Sequence, residues 1–315
     1  MSRTVGIVGA GLIGRAWAMI FARAGWAVRL HDAGAGVAEG AVGLCAQGLQ
    51  DLAAHGLCED PAGAAARIVA AGSLEDCVGQ ADFVQENGPE LLEVKQALFR
   101  ALDAAAPPGA ILASSSSAIR CSLFTEDLPG RGRCLIGHPV NPPHLIPLVE
   151  LSGAPWTLPD TITRARAVYD AIGQAPVTVL KEGEGFILNR LQGALLAEAF
   201  RLVSEGYVTP ADLDRTVADG LGLRWAFMGP FATIELNAPG GIPDYCARYT
   251  GFYKRVAAEA AGPEVYESPA MDKVMTQWSV APDLPARMRW RDGRLAALRA
   301  HKLERDEAER QGGAG

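Results

Sequence analysis

The sequence predicts a doubly wound, mostly parallel α/β domain over residues 1–183, followed by an all-helical domain over 184–315. Three observations carry this reading. Short apolar stretches alternate with helix-period segments through the first part of the chain. A glycine-rich turn, Val8-Gly9-Ala10-Gly11-Leu12-Ile13-Gly14, follows the first of those stretches directly. Beyond Gly183-Glu184-Gly185 no strand pattern remains, and apolar residues recur only at three- and four-residue spacing.

Residues 4–8 read as a short buried strand. Gly9 permits the tight turn out of it, Gly11 lets backbone approach a pyrophosphate, and Gly14 lets the helix over 13–24 lie close on the sheet. The free N–H groups of Leu12 and Ile13 then face the phosphates, helped by the helix dipole. Residues 26–31 read as the second strand, and Asp32 closes it eighteen residues beyond Gly14. There its carboxylate is placed to accept hydrogen bonds from both ribose hydroxyls of an adenosine. A 2′-phosphate would meet that carboxylate, and no Arg or Lys follows until Arg67. The pattern therefore specifies NAD, not NADP. A glycine triplet alone is a weak signal, equally at home in other α/β turns. The strand before it, the helix after it and the acid at this distance make it specific.

Further strands are predicted at 68–71, 82–85, 110–113, 133–137, 148–151 and 176–180, with helices at 37–55, 91–105 and 161–172. A Pro-rich stretch, His138 to Pro147, interrupts the alternation, and an irregular loop of that length is more often functional than idle. In the second domain Leu188, Leu191, Leu195, Ala199 and Leu202 mark one long amphipathic helix. Thr209-Pro210 is an N-cap followed by proline at the first helical position. More helical patterns follow at 211–218, 231–236, 245–260 and 286–310, and residues 311–315 read as disordered.

Composition narrows the class. A net charge of −7, with no basic cluster interleaved with aromatics, argues against a nucleic-acid partner. No apolar run approaches the roughly 18 residues of a membrane span. The first strand follows Met1-Ser2-Arg3 at once, so no signal peptide is expected. The 6 cysteines are scattered without a CxxC pair, which fits a reducing cytoplasm and gives no metal-site spacing.

Three segments carry chemistry. His138-Pro139-Val140-Asn141-Pro142-Pro143 follows a strand directly, and Glu150 stands in the next one. Carboxyl ends of strands are where such sheets bind ligands. A histidine there can take a hydroxyl proton, while a carboxylate on its other nitrogen fixes the tautomer. A structural histidine beside a surface Glu is the plainer reading for one residue, but it leaves the rest of the constellation unexplained. Ser114-Ser115-Ser116-Ser117 also follows a strand, either as a solvated turn or as a hydroxyl aimed at a substrate oxygen. Asn189 opens the long helix in Gly185-Phe186-Ile187-Leu188-Asn189-Arg190, either as a helix cap or as a donor to a developing carbonyl.

Taken in order and spacing, the glycine fingerprint, SSSS, HPVNPP…LVEL and GFILNR resemble the 3-hydroxyacyl-CoA dehydrogenase superfamily. HPVNPPHLIPLVEL, ADGLGLRWAFMGP and WRDGRLAAL are similar to its λ-crystallin / L-gulonate 3-dehydrogenase branch. The resemblance covers nearly the whole chain. It implies a Rossmann-type N-terminal domain, a helical C-terminal domain and a homodimer made largely by the latter. By position it implies His138 as catalytic base, Glu150 as its acidic partner, Ser117 as a substrate- and cofactor-binding serine and Asn189 as the active-site asparagine. It further implies Asn141 beside the nicotinamide and reacting oxygen, and Glu90 and Lys95 as NAD contacts. Read alone, Glu90 and Lys95 are only the charged start of a helix. SSSS replaces a threonine-containing form of the motif and keeps the hydroxyl.

The implied reaction is NAD-linked oxidation of a secondary alcohol β to a carboxyl group. CoA phosphates ask for Lys or Arg at the rim, and residues 32–66 contain neither. Arg224 offers a guanidinium to a free carboxylate, or is a surface ion-pair residue. The expectation is a small L-gulonate-like hydroxy acid. A short-chain acyl-CoA, carnitine held against Trp225, and a non-enzymatic crystallin-like role are the alternatives.

Overall fold

The computed structural model describes residues 3–279 and 282–312. By compactness it divides into two units, one formed by 1–187 with 285–315 and the other by 188–284.

The first unit is built on one eight-stranded sheet in the order β3-β2-β1-β4-β5-β6-β7-β8. The strands are β1 (Thr4–Val8), β2 (Ala27–His31), β3 (Ile68–Ala70), β4 (Phe83–Glu86), β5 (Ile111–Ser114), β6 (Cys134–Pro139), β7 (Leu148–Gly153) and β8 (Ala175–Val179). Each predicted strand is present, with edges displaced by at most two residues. Leu180, expected to end the last strand, lies beyond it and is 95% exposed. All neighbours run parallel except β6 and β7. The reason is chain length: residues 140–147 are too few for the crossover that a parallel pair needs. That antiparallel turn-back sets His138 opposite Glu150 in register.

Helices α1 (Leu12–Arg23), α2 (Val37–Ala53), α3 (Pro61–Ala66), α4 (Leu74–Val78), α5 (Leu92–Ala105), α6 (Ser122–Thr125) and α7 (Pro159–Ala171) cover the sheet. Two separate apolar clusters result, as a doubly wound sheet requires. One gathers Trp17, Ile20 and Phe21 of α1 with Phe83 and Tyr169. The other gathers Phe99 and Leu102 of α5 with Val84, Leu112 and Phe124. Local chemistry sets the short helices: Asp60 accepts from the Gly63 N–H at 2.8 Å ahead of Pro61, and Ser73 accepts from the Asp76 N–H at 3.1 Å.

The second unit contains α8 (Leu188–Ser204), α9 (Pro210–Arg215), a π-helical turn Thr216–Leu221, α10 (Gly222–Trp225), α11 (Pro230–Leu236), α12 (Gly241–Ala258), a 3₁₀ turn Pro263–Tyr266 and α13 (Ser268–Met275). Thr209 caps α9 by accepting from the Asp212 N–H at 3.2 Å. Tyr266 OH donates to Gly193 O and Lys273 Nζ to Ser204 O, tying the last two elements to α8. The helix α13 escapes periodicity because it is only two turns long.

One further helix, α14 (Leu284–Gly312), corrects the sequence reading twice. It continues through Gln311 and Gly312, which were expected to be disordered; residues 313–315 lie outside the described residues. It also groups with the first unit, where the sequence reading placed it in the helical domain. Ala296 is buried in the Trp17–Phe83 cluster, and Arg299 Nη2 donates to Gly173 O at 3.3 Å. An apolar stripe records that a helix is covered, not by which neighbour. No helix among the described residues is long and apolar enough to cross a membrane.

Candidate active site

The glycine turn is closed on two sides and open on the third. Gly9 has φ +91°, and a Cβ there would sit 2.8 Å from the Asn87 carbonyl oxygen. A Cβ at Gly14 would overlap the Gly9 carbonyl oxygen. At Gly11 it would meet nothing within 4 Å, so the approach to the start of α1 is free. Gly11 caps α1 without a side-chain bond, and the first helical N–H groups, Leu12 and Ile13, lie outside the helix ladder. Asp32 is held at the mouth of this turn, where Oδ2 accepts from Ala10 N–H at 2.8 Å and Oδ1 from Gly34 N–H at 2.9 Å. Each carboxylate oxygen keeps a second lone pair for a ribose hydroxyl. An open cradle of backbone donors, with an acid and no nearby cation between 33 and 66, fits NAD.

His138 and Glu150 are brought together by the β6–β7 turn-back. The imidazole is 5% exposed and the carboxylate residue 1%. His138 Nδ1 lies 2.8 Å from Glu150 Oε2. An ionised carboxylate only accepts, so Nδ1–H donates and Nε2 keeps the lone pair that can take a proton. Glu150 Oε1 accepts from the Ile187 N–H at 2.8 Å. One carboxylate thus secures both the imidazole and the segment leading into α8. The adjoining Phe186 has φ +49°, a costly conformation for a phenylalanine, and its ring packs 5.4 Å from that of His138. The sequence reading quoted this residue only within a motif; its contact is tertiary and has no periodicity to reveal it.

Ser117 lies three residues beyond β5 and His138 is the penultimate residue of the adjacent parallel strand, so both stand at the carboxyl edge of the sheet. Ser117 is exposed, and its N–H donates to Glu90 Oε1 at 3.1 Å. The same oxygen accepts from Ala118 N–H, Ile119 N–H and Ser116 Oγ. Partial burial opposes ionisation of Glu90, but the bonds from Ser116, Ala118 and Ile119 and the charge of Lys95 outweigh it and hold the carboxyl below its usual range. Glu90 therefore shapes the serine loop.

Lys95, which the resemblance implies as a cofactor contact, is bonded to its own chain. Its side chain is fully buried, and Nζ donates to Glu86 Oε1 at 2.8 Å, Glu86 Oε2 at 2.9 Å and Gly88 O at 3.0 Å. All three ammonium hydrogens are spent. Glu86 also accepts from Ser114 Oγ at 2.6 Å and from Gly88 N–H, which fixes the turn after β4. Asn141 is exposed in the loop after His138.

In the second unit, Asn189 is half-buried in the first turn of α8. Arg224 is exposed on α10 and lines a hollow of about 580 Å³ with Thr216, Leu221, Leu223 and Phe227.

A glycine cradle for a dinucleotide and a buried His–Glu pair at one sheet edge describe a dehydrogenase, and comparison with known proteins agrees. The model of the 3-hydroxyacyl-CoA dehydrogenase NAD binding domain matches residues 4–183, and that of the C-terminal domain matches 185–279. The chain belongs to the 3-hydroxyacyl-CoA dehydrogenase family. Like the family, it is an NAD-dependent dehydrogenase acting on a 3-hydroxy group. It is 43% identical to a lambda-crystallin homolog of Bos taurus over 310 residues, covering 95% of this chain and 96% of the bovine one. It is 40% identical to an L-carnitine dehydrogenase of Streptomyces griseus, covering 76% of this chain and 71% of that protein. Among solved structures, an NAD+-dependent 5-formyl-3-hydroxy-2-methylpyridine 4-carboxylic acid 5-dehydrogenase superposes with TM-score 0.82 at 29% identity, covering 95% of this chain and 98% of that one.

Proposed function

We propose that this protein oxidises the 3-hydroxyl of a small free hydroxy acid, with L-gulonate the type substrate, to the 3-oxo acid. The observation that carries the chemistry is the buried His138 with Nδ1 committed to Glu150. Nε2 then removes the hydroxyl proton, and Glu150 stabilises the imidazolium that forms. Bound NAD supplies the two-electron acceptor. Ser117 and Asn189 hold the oxygen as it becomes a carbonyl, and Asn141 lines the reacting end. The Gly9–Gly14 turn and Asp32 hold the dinucleotide.

Two features support a free acid over a CoA ester. Residues 32–66, the rim beside the adenosine site, carry no Lys or Arg for CoA phosphates. Arg224 is exposed toward a hollow and forms no ion pair among the described residues. A bidentate Arg–carboxylate pair contributes roughly 1.5–3 kcal/mol. Carnitine is the second reading, supported by the similarity to L-carnitine dehydrogenase and by Trp225, 42% exposed beside Arg224, as a face for a quaternary ammonium.

The second unit exposes Leu191, Phe227, Phe231 and Leu236, at 64%, 71%, 72% and 72%. A second copy of the chain is the partner we assign to this apolar surface. The buried free cysteines support residence in the reducing cytoplasm.

The test is a competition panel of L-gulonate, 3-hydroxybutyrate, L-carnitine and 3-hydroxybutyryl-CoA, read as NADH formation. The free sugar acid should give the highest kcat/KM, and Arg224→Ala should raise its KM about tenfold or more. Preference for the CoA ester, or an unchanged KM, rejects the free-acid reading. Normal NAD binding with no turnover of any member supports the non-enzymatic role.

A further inference from the structure

Beneath the glycine turn lies a set of polar side chains that neither the cofactor cradle nor the His138–Glu150 pair uses. Gln85, on β4, is fully buried. Its Nε2 donates to Ser115 Oγ at 2.8 Å and to Gly137 O at 3.3 Å, and its Oε1 accepts from Tyr169 OH at 2.6 Å. Ser115 Oγ donates to Asn87 Oδ1 at 2.7 Å and accepts from Trp17 Nε1 at 3.1 Å. Asn87 Nδ2 donates to Val8 O at 3.2 Å and Gln85 O at 2.9 Å.

Every donor hydrogen in this set is used. Both amides use both hydrogens, and the Ser115 hydroxyl uses its hydrogen and both lone pairs. Turning either amide over would set its oxygen against a backbone carbonyl oxygen, Gly137 O for Gln85 and Val8 O and Gln85 O for Asn87, so each has one orientation. A fully satisfied buried network fixes one arrangement of the groups it joins. The groups at its ends are informative. Val8 precedes Gly9, where the cofactor turn begins, and Gly137 precedes His138. The Tyr169 hydroxyl fills the place that a side chain at position 137 would need, which is why glycine stands there.

We propose that Gln85 is a positioning residue: it spans from β4 past the end of β5 to β6 and sets the strand bearing His138 against the glycine turn. This rests on the reading of His138 as the base. Misplacement of that base by a fraction of an ångström lowers the rate of proton removal without touching the groups that bind the dinucleotide.

The test is Gln85→Met, which keeps length and volume, cuts the bonds to Ser115, Gly137 and Tyr169, and leaves the Ser115–Asn87–Val8 arm. Three readouts apply: NAD+ affinity by protein fluorescence, kcat and the primary deuterium isotope effect with L-gulonate, and the downfield NMR proton of the His138–Glu150 hydrogen bond in NAD+-bound protein without substrate. Expected are an NAD+ Kd within twofold of wild type, kcat lowered about tenfold or more, a larger isotope effect, and a shifted or exchange-broadened proton. A purely structural role would lower Tm alone. Normal kcat with an unmoved proton overturns the proposal, and the proton decides it if L-gulonate is not turned over. Should Gln85→Met not fold, Tyr169→Phe, which removes only one hydroxyl, is judged by the same outcomes. His138→Gln separates the two claims: if it stays active, the base assignment fails; if it is inactive while Gln85→Met is normal, only the positioning role falls.

Discussion

His138 Nδ1 and Glu150 Oε2 stand 2.8 Å apart because the two residues are direct partners across antiparallel β6 and β7. On adjacent strands that register places both side chains on one face of the sheet. Substituting His138 by Gln should lower kcat by about 10²–10⁴ and leave NAD+ affinity unchanged. Glu150→Gln should also lower kcat and, by loosening Ile187, alter the KM for substrate. Steady-state kinetics beside NAD+ titration make the comparison; a His138→Gln enzyme within twofold of wild type removes the residue from the mechanism.

Asp32 orders the glycine turn through Ala10 and Gly34 and is proposed to hold the adenosine ribose. Asp32→Ala should weaken NAD+ binding by about tenfold and narrow the preference over NADP+, since a 2′-phosphate no longer meets a carboxylate. Dissociation constants for both dinucleotides test this, and unaltered selectivity contradicts the ribose assignment.

The Lys95–Glu86 pair has no solvent on either side chain. Lys95→Met leaves Glu86 buried without its counter-charge and should destabilise the fold by about 3–5 kcal/mol. Adding Glu86→Gln should recover much of that loss. Denaturant unfolding of the single and double variants reads both numbers. A single variant as stable as wild type would show that the pair is dispensable.

His144 lies in the Pro-rich loop that follows His138, and its Nδ1 is buried without a partner among the described residues. Burial pushes the imidazole down to about 4; Asp292 opposes this, while Arg23 and Arg291 add to it. The unfolded chain, with an ordinary value near 6.5, binds the proton first. Stability from this residue is therefore complete above about 6.5 and is lost as pH falls toward about 4. His144→Leu should flatten that part of a plot of Tm against pH. A slope identical to wild type between those values refutes the linkage.

Much of this architecture was legible before any coordinates. Alternation of apolar strands with helical periods located all eight strands, since each covered element must repeat its apolar residues at its own period. Residue chemistry at Gly9, Gly11, Gly14 and Asp32 pointed to the dinucleotide because only certain backbones and charges tolerate it there. The setting of Lys95 was hidden for a physical reason. A lysine near a helix start is ordinarily solvated, and only its tertiary neighbours show it fully desolvated against Glu86. The same holds for α14, whose buried Ala296 gives no hint of the layer it joins.

The sequence by itself determined the strands, the longer helices, the cofactor and the residue types able to move a proton, because these follow from short-range periodicity and from chemistry at single positions. Only the tertiary structure decided the pairings of Lys95 with Glu86, Gln85 with Gly137 and Glu90 with the serine loop, and the 2.8 Å geometry of His138 on Glu150. Such contacts join strands and turns distant along the chain. They depend on strand order across the sheet, which no local pattern encodes.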